Sequence, residues 1–164
     1  MEVDIQNAAE VSAFLWPEFI RAGECVLLGW VSDAGMPASG FDCSGWEAFQ
    51  NHTHIKDEFL VGRNKDHSLK SVEDRATDLR ASCKLGRLAA KLWCLKLRED
   101  FAGERFRVYY TEDDEPIVRF HKVRDGEAHW ISNSGLIEGN ESLRNSVIYD
   151  TERADIPVER PGTV

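Results

Sequence analysis

The sequence lacks any long apolar stretch and any cysteine spacing typical of a zinc site or a disulfide scaffold. Residues 1–7 also lack the basic and then apolar order of a signal peptide, so we expect neither a secretion signal nor a membrane span. The chain has four cysteines and no CxxC pair among them. Reduced thiols are therefore the simpler interpretation. These absences predict a cytoplasmic protein that does not associate with a membrane.

Positive charge is the minority in this chain. It has 20 lysines and arginines against 29 aspartates and glutamates, and its formal net charge is −9. Neutralising a phosphate backbone requires a cationic surface, so we do not expect a nucleic-acid partner. An acidic protein can recognise a basic protein partner through electrostatic complementarity, and we expect such a partner. An acidic surface also keeps a protein soluble without any partner.

Length and composition are those of an ordinary globular protein. With 164 residues the chain can bury a sizeable core in one domain. Apolar residues make up 42% and charged residues 30% of the sequence, which fits a soluble protein. Near the end of the chain, apolar residues become sparse and follow no regular pattern. We therefore expect a single domain over residues 1–150 and a loosely ordered tail over residues 151–164.

A long amphipathic helix is the strongest pattern in the sequence. Apolar residues recur at alternating steps of three and four from Leu69 to Leu97, as they do along one side of a helix. From Leu85 onward a second apolar row widens this stripe, so we expect the second half of the helix to be buried more deeply. Ser71 and Asp74 have the spacing of a capping box at its start.

Two features leave the course of this helix open. One helix over residues 71–101 would be about 45 Å long, which is long for a compact domain, so we expect a break or bend near Gly86. Residues 91–98 also alternate as in a strand. The surrounding segment is rich in leucine, alanine, lysine and arginine, which favours the helix.

The first third of the chain predicts two short helices and a strand. Asn7 is a suitable N-cap for the first helix, in which Pro17 predicts a kink or a restart before Phe19. Residues 24–31 form a short apolar run bounded by turn residues, which is typical of a buried strand. Ser44 has capping-box spacing to a glutamate and predicts the start of the second helix.

Residues 104–132 predict an antiparallel meander, because short alternating runs are separated by turn signals such as Asp125-Gly126. The three strands and a following short helix are expected at residues 106–111, 117–123, 127–132 and 140–149. Helix-forming runs ahead of clustered strands favour an α+β fold over alternating strands and helices. The sequence therefore predicts helices packed on a small antiparallel sheet.

The first candidate site is a metal site at His52, His54 and Asp57. Imidazoles two residues apart share a face of a strand and can bind one divalent metal ion, with a carboxylate completing the ligand set. On a helix the same spacing turns the two rings about 200° apart and prevents joint ligation. The alternative interpretation is a solvated or capping polar segment with no metal and no cofactor.

The second candidate is Cys43. The segment Gly-Phe-Asp-Cys-Ser-Gly-Trp over residues 40–46 resembles the nucleophile motif of a family of papain-like cysteine peptidases, in which the cysteine stands at a helix N-terminus. This resemblance implies a thiolate stabilised by helix amides, with His121 or His129 as the paired base. The alternative interpretation is a capped helix with a small buried thiol.

The third candidate is the predicted hairpin, where cations concentrate in an otherwise acidic chain. Arg107 and Tyr109 share one side of the first strand, and Arg119 and His121 share one side of the second. This surface predicts binding of an anionic ligand or an acidic peptide through Arg107, Tyr109 and Arg119. The alternative interpretation is cross-strand pairing with nearby carboxylates.

The sequence contains no complete catalytic constellation. We therefore expect a small acidic binding or interaction protein, such as an adaptor, an inhibitor or an immunity-type protein. The alternative is a hydrolase, either metal-dependent through the His52 cluster or cysteine-dependent through Cys43.

Overall fold

A computed structural model of the chain describes residues 5–31, 42–59, 61–112, 115–131 and 145–153. The predicted tail beyond residue 153 lies outside the described residues. The helices are α1 (Ile5–Leu15), α2 (Cys43–Gln50), α3 (Ile55–Glu58) and α4 (Val72–Asp100). The strands are β1 (Phe19–Ala22), β2 (Cys25–Leu28), β3 (Thr53–His54), β4 (Phe106–Glu112), β5 (Pro116–Lys122) and β6 (Val147–Asp150). Short 3-10 helices follow β2 at Gly29–Val31 and β6 at Thr151–Arg153.

The main sheet is antiparallel, with the strand order β3-β5-β4-β6. Helix α4 packs across one side of it, where alternate residues of β4 and β5 meet the buried part of the helix. Trp93, Phe106 and Phe120 lie at the centre of this apolar core and are fully buried. Strands β1 and β2 form a separate two-stranded hairpin beside it. This arrangement confirms the predicted α+β class in one compact body.

Helix α4 is continuous, so the predicted break near Gly86 is wrong. Gly86 has a packing role instead, because a Cβ atom there would lie 2.7 Å from Cε2 of Tyr110 on the sheet. The glycine therefore lets the helix approach β4 closely. Ser71 caps the helix as predicted, and its hydroxyl accepts a hydrogen bond from the backbone N–H of Asp74 at 3.1 Å. Residues 91–98 are helical and not a strand.

Burial along α4 follows the predicted gradient. Val72 is 73% exposed and Leu79 is 44% exposed, whereas Trp93 and Leu97 have no exposed surface. The second apolar row is buried only in part, because Leu88 remains 46% exposed. Within the described residues no helix is long and apolar enough to cross a membrane.

Several short elements differ from the sequence prediction. After Pro17 the chain does not restart a helix, since Phe19 opens β1 and pairs with Leu28 of β2. The N-cap of α2 is Asp42 and not Ser44, because the Asp42 carboxylate accepts the hydrogen bond from Gly45 N at 3.2 Å.

The meander is correct for β4 and β5 only. Described residues 127–131 are not a strand, although a third strand was expected there. Residues 147–149 were expected to lie in a helix and instead belong to β6, which pairs with β4 on the side away from β5. The sheet is therefore completed by a strand that is distant in sequence.

Two buried polar residues, Glu47 of α2 and Asn51 at its C-cap, fix the hairpin against the main sheet. The Glu47 carboxylate accepts hydrogen bonds from Val26 N of β2 at 2.7 Å and Lys122 N of β5 at 2.8 Å. One turn later, the Asn51 amide accepts from Leu28 N at 3.0 Å and donates to the Val26 carbonyl at 2.9 Å. These bonds satisfy backbone groups at the edges of both sheets, which would otherwise be buried without partners.

Candidate functional site

The main sheet has a polar side facing away from the apolar core. Successive side chains of β4 alternate between the two sides, and the alternate set from Arg107 onward lies opposite the core. Strand pairing places Arg107 opposite His121 and Asp150, and it places Tyr109 opposite Arg119. We call these five residues the polar sheet face: Arg107, Tyr109, Arg119, His121 and Asp150.

Tyr109 and His121 form a fully buried hydrogen-bonded pair at the centre of this face. His121 Nδ1 lies 2.8 Å from the Lys122 carbonyl, which can only accept, so Nδ1 carries the proton. Nε2 of the neutral ring then accepts the hydrogen bond from the Tyr109 hydroxyl at 2.7 Å. Burial lowers the pKa of His121 from 6.5 to about 4 and raises that of Tyr109 to about 12. Both groups are therefore uncharged at neutral pH.

Asp150 balances part of the positive charge of the face. Its carboxylate is 2% exposed and accepts hydrogen bonds from Arg105 Nε at 3.1 Å and from Arg105 Nη2 at 2.7 Å. Burial alone would raise the pKa of Asp150, but the hydrogen bonds from Arg105 hold it below its usual value. Arg107 Nε lies 3.5 Å from the same carboxylate and donates no hydrogen bond to it. Asp150 thus faces two arginines, of which Arg105 also pairs with Glu152 at 3.3 Å.

Arg119 has no carboxylate partner among the described residues. Its guanidinium lies over the ring of Trp130, with 4.7 Å between the guanidinium carbon and the ring centroid. Burial lowers the pKa of Arg119, and no anion of the described residues opposes that effect. The face therefore carries a positive charge that the described side chains leave uncompensated.

Several N–H groups of this region point to no acceptor. Arg107 is only 7% exposed, yet its Nε and Nη1 atoms are buried and have no hydrogen-bond partner in the part of the chain that the structure describes. The same holds there for Arg119 Nε and His129 Nδ1. Buried polar groups of this kind are rare in proteins, because each one loses its hydrogen bonds to water. Their concentration on one side of one sheet marks this surface as the candidate site.

The segment after β5 lies over part of the face. Glu127 anchors this segment to α2, since its carboxylate accepts a hydrogen bond from Ser44 N at 2.8 Å. His129 then stacks on His121, with 5.7 Å between ring centroids and 28° between ring planes. Trp130 follows over Arg119 and remains 43% exposed. His129 and Trp130 therefore border the buried donors on the side that solvent can reach.

The structure brings together residues from two of the sequence predictions. Arg107, Tyr109 and Arg119 lie on one side of the sheet, as the alternation predicted, and His121 and His129 meet them there. Their role in ligand binding stays a prediction. Sequence reasoning counted Arg105 among the cations of the hairpin, but it missed Asp150 and the position of Trp130 over Arg119. Asp150 gave no local signal, because it follows a segment that was expected to be helical.

Cys43 lies elsewhere, at the first position of α2. Its thiol contacts that of Cys25, whose pKa is raised to about 12, first by burial and next by the Glu47 carboxylate. Within the described residues no hydrogen bond joins Cys43 to an imidazole, and His121 is engaged by Tyr109, Lys122 and His129 instead. A cysteine nucleophile paired with His121 or His129 stays a prediction.

The rings of His52 and His54 are adjacent, with 5.2 Å between their centroids. His54 Nδ1 contacts the Glu115 carboxylate at 2.6 Å, while His52 Nδ1 contacts the Phe49 carbonyl. Asp57 is exposed on α3. In the described part of the chain no group of three or more histidine, cysteine, aspartate or glutamate side chains is arranged to hold a metal ion. The metal site at His52, His54 and Asp57 stays a prediction.

Comparison with protein families, curated proteins and solved structures gives no match to this chain.

Proposed function

We propose that this chain is a small acidic binding protein that holds an anionic ligand on the polar sheet face. The observation that supports this proposal most is that buried N–H groups of Arg107 and Arg119 have no acceptor among the described residues. Arg119 carries this argument, because no ion pair within the described residues balances its charge.

Burying an arginine without a counter-ion costs free energy, because the guanidinium gives up water and gains nothing in return. A carboxylate or phosphate group would supply both the missing charge and the missing acceptors. Hydrogen bonds between a guanidinium and an oxyanion are about twice as strong as neutral ones. Arg107 lies on β4 and Arg119 on the neighbouring strand β5. Arg119 pairs with Tyr109, the second residue after Arg107, so the two arginines are diagonal neighbours on one side of the sheet. Two adjacent cationic donor groups suit one oxyanion.

The binding test is a calorimetric titration of the whole chain with inorganic phosphate and, separately, with citrate at low ionic strength. We expect saturable binding of at least one of these anions. The variant Arg119→Gln should bind it at least about tenfold more weakly, which corresponds to about 1.4 kcal/mol. Binding of phosphate would indicate a phosphate site, and binding of citrate a carboxylate site.

The matched control is Lys65→Gln, which removes the same charge from an exposed lysine in the loop before α4. It should leave the affinity for the anion unchanged. A non-specific effect of charge would instead weaken anion binding by both variants alike. Absence of binding by the native chain, or equal weakening in both variants, would contradict the proposed function. Far-UV circular dichroism of both variants shows whether the fold is retained.

A further inference from the structure

Helix α4 carries a concentration of positive charge that the net charge of the chain conceals. Between Leu79 and Arg98 the sequence contains six lysines and arginines and no aspartate or glutamate. The whole chain has a net charge of −9, so this segment differs sharply from the rest. The continuous helix fixes where these cations lie relative to one another.

Five of the six cations lie along one line of the helix. With about 100° between successive residues, the steps of four, three, four and seven residues return each side chain to within an arc of about 60°. We call these residues the basic stripe: Arg80, Lys84, Arg87, Lys91 and Arg98. The stripe runs for about 27 Å along the helix, at about 1.5 Å per residue.

The basic stripe faces away from the core, and four of its members are exposed. Lys84, Lys91 and Arg98 have no ion pair among the described residues, and the Arg80 guanidinium donates only to the Thr77 hydroxyl at 3.0 Å. Arg87 differs, because it pairs with Glu112 at 3.0 Å and stacks on Tyr110. The exposed cations of the stripe are thus available to another molecule.

Apolar surface accompanies the stripe. Leu88 lies beside it and is 46% exposed. At the Arg80 end, a cavity of about 390 Å³ opens between α4 and the facing ends of β4 and β5. Leu79, Arg80, Lys84 and Pro116 contribute to its wall together with two carboxylates, Glu112 and Glu115, which are paired with Arg87 and Lys56. The surface therefore combines a row of cations with places for apolar side chains.

We propose that the basic stripe docks an acidic amphipathic helix of another protein. Carboxylates at helical positions i, i+4, i+7 and i+11 of that partner would repeat the spacing of the stripe. Apolar partner residues would contact Leu88 and enter the cavity. The acidic remainder of the chain disfavours a long polyanion such as nucleic acid. A short helix avoids that repulsion, because exposed charges are screened beyond about 8 Å at physiological salt.

The probe is a synthetic acidic amphipathic peptide with glutamates at those four positions and leucines beside them. Fluorescence anisotropy of the labelled peptide should report saturable binding to the whole chain, weakened by added salt. The variant Lys84→Glu/Lys91→Glu should bind at least about tenfold more weakly, because two attractions become repulsions. A peptide of the same composition, with its glutamates distributed around the helix, should bind weakly to both proteins.

The control variant Arg63→Glu/Lys65→Glu introduces the same change of charge in the loop before α4 and should retain binding within about twofold. A short DNA duplex and vesicles containing phosphatidylserine form two further arms. Absence of peptide binding, equal loss in both variants, or tighter stripe-dependent binding of the duplex or vesicles would overturn the proposal. The anion site is unaffected by these outcomes, since its residues lie on the polar sheet face.

Discussion

Three arginines of the sheet region differ in how their charge is balanced. Arg124 donates to both carboxylate oxygens of buried Glu47, at 2.8 and 2.9 Å. Arg105 makes an equally close pair with Asp150. Arg119 lies over the Trp130 ring and pairs with no carboxylate among the described residues. The described part of the fold thus supplies carboxylates to the first two arginines and none to Arg119, which gives Arg119 its place in the proposed function.

The buried His121 makes stability depend on pH. Its pKa in the folded protein is lowered to about 4, whereas an unfolded histidine titrates near 6.5. Below pH 6.5 the unfolded chain therefore binds a proton that the folded chain does not, and stability falls as the pH drops towards 4. We expect this residue alone to account for a loss of about 3 kcal/mol across that window. Urea unfolding at pH 7, 6 and 5 measures the slope.

The variant His121→Gln separates this effect from the titration of carboxylates. It removes the titrating ring, so its free energy of unfolding should change less between pH 7 and pH 5 than that of the native chain. His129 contributes to the same window, since its pKa is also lowered, first by burial and then by Arg107. An identical slope in the variant would show that His121 does not remain neutral in the fold.

At the scale of elements, the close approach of α4 to β4 depends on Gly86. Alanine favours a helix over glycine by about 1 kcal/mol, but a Cβ atom at this position would lie 2.7 Å from the Tyr110 ring. We expect Gly86→Ala to lower the free energy of unfolding by about 1–3 kcal/mol, because the steric cost exceeds the helix gain. Chemical denaturation measures the change.

The exposed residue Ala81 of the same helix supplies the comparison. Ala81→Gly reports the cost of glycine in α4 without contact to the sheet. Gly86→Ala and Ala81→Gly should both destabilise the protein, although one adds and the other removes an alanine. A stabilised Gly86→Ala variant would mean that the helix can move away from Tyr110 at little cost.

Sequence patterns predicted the elements whose signals are local and long. The apolar pattern of α4 repeats over many residues and begins next to the Ser71 capping box. The alternation in β4 and β5 is bounded by turn signals in the sequence. These elements were therefore recognisable. The strands β1 and β6 have only four residues each, which is too short for a clear pattern. β1 forms by pairing with the adjacent β2, whereas β6 forms by pairing with β4, which is distant in sequence. Ser44 matched a capping pattern, but the neighbouring Asp42 caps α2 and the Ser44 hydroxyl contacts Glu127 instead.

For the whole molecule, the composition concealed how charge is distributed. The net charge of −9 suggested a basic protein partner, and that partner stays a prediction. The helix pattern contained the basic stripe, but its exposure became clear only when α4 proved to be continuous. Similarly, alternation placed Arg107 beside Tyr109 and Arg119 beside His121. The arrival of His129, Trp130 and Asp150 at the same face depends on the tertiary fold, which no local pattern encodes.

Binding of an anion by Arg107 and Arg119 is tested most directly by the arginine Nε–H signals in a ¹⁵N–¹H spectrum during a titration with phosphate or citrate. Assignment by single substitution identifies the signals of Arg107, Arg119 and exposed Arg63. We predict that the Arg107 and Arg119 signals shift together and saturate at one anion concentration, while the Arg63 signal barely moves. Stationary Arg107 and Arg119 signals throughout both titrations would contradict an anion site on the polar sheet face.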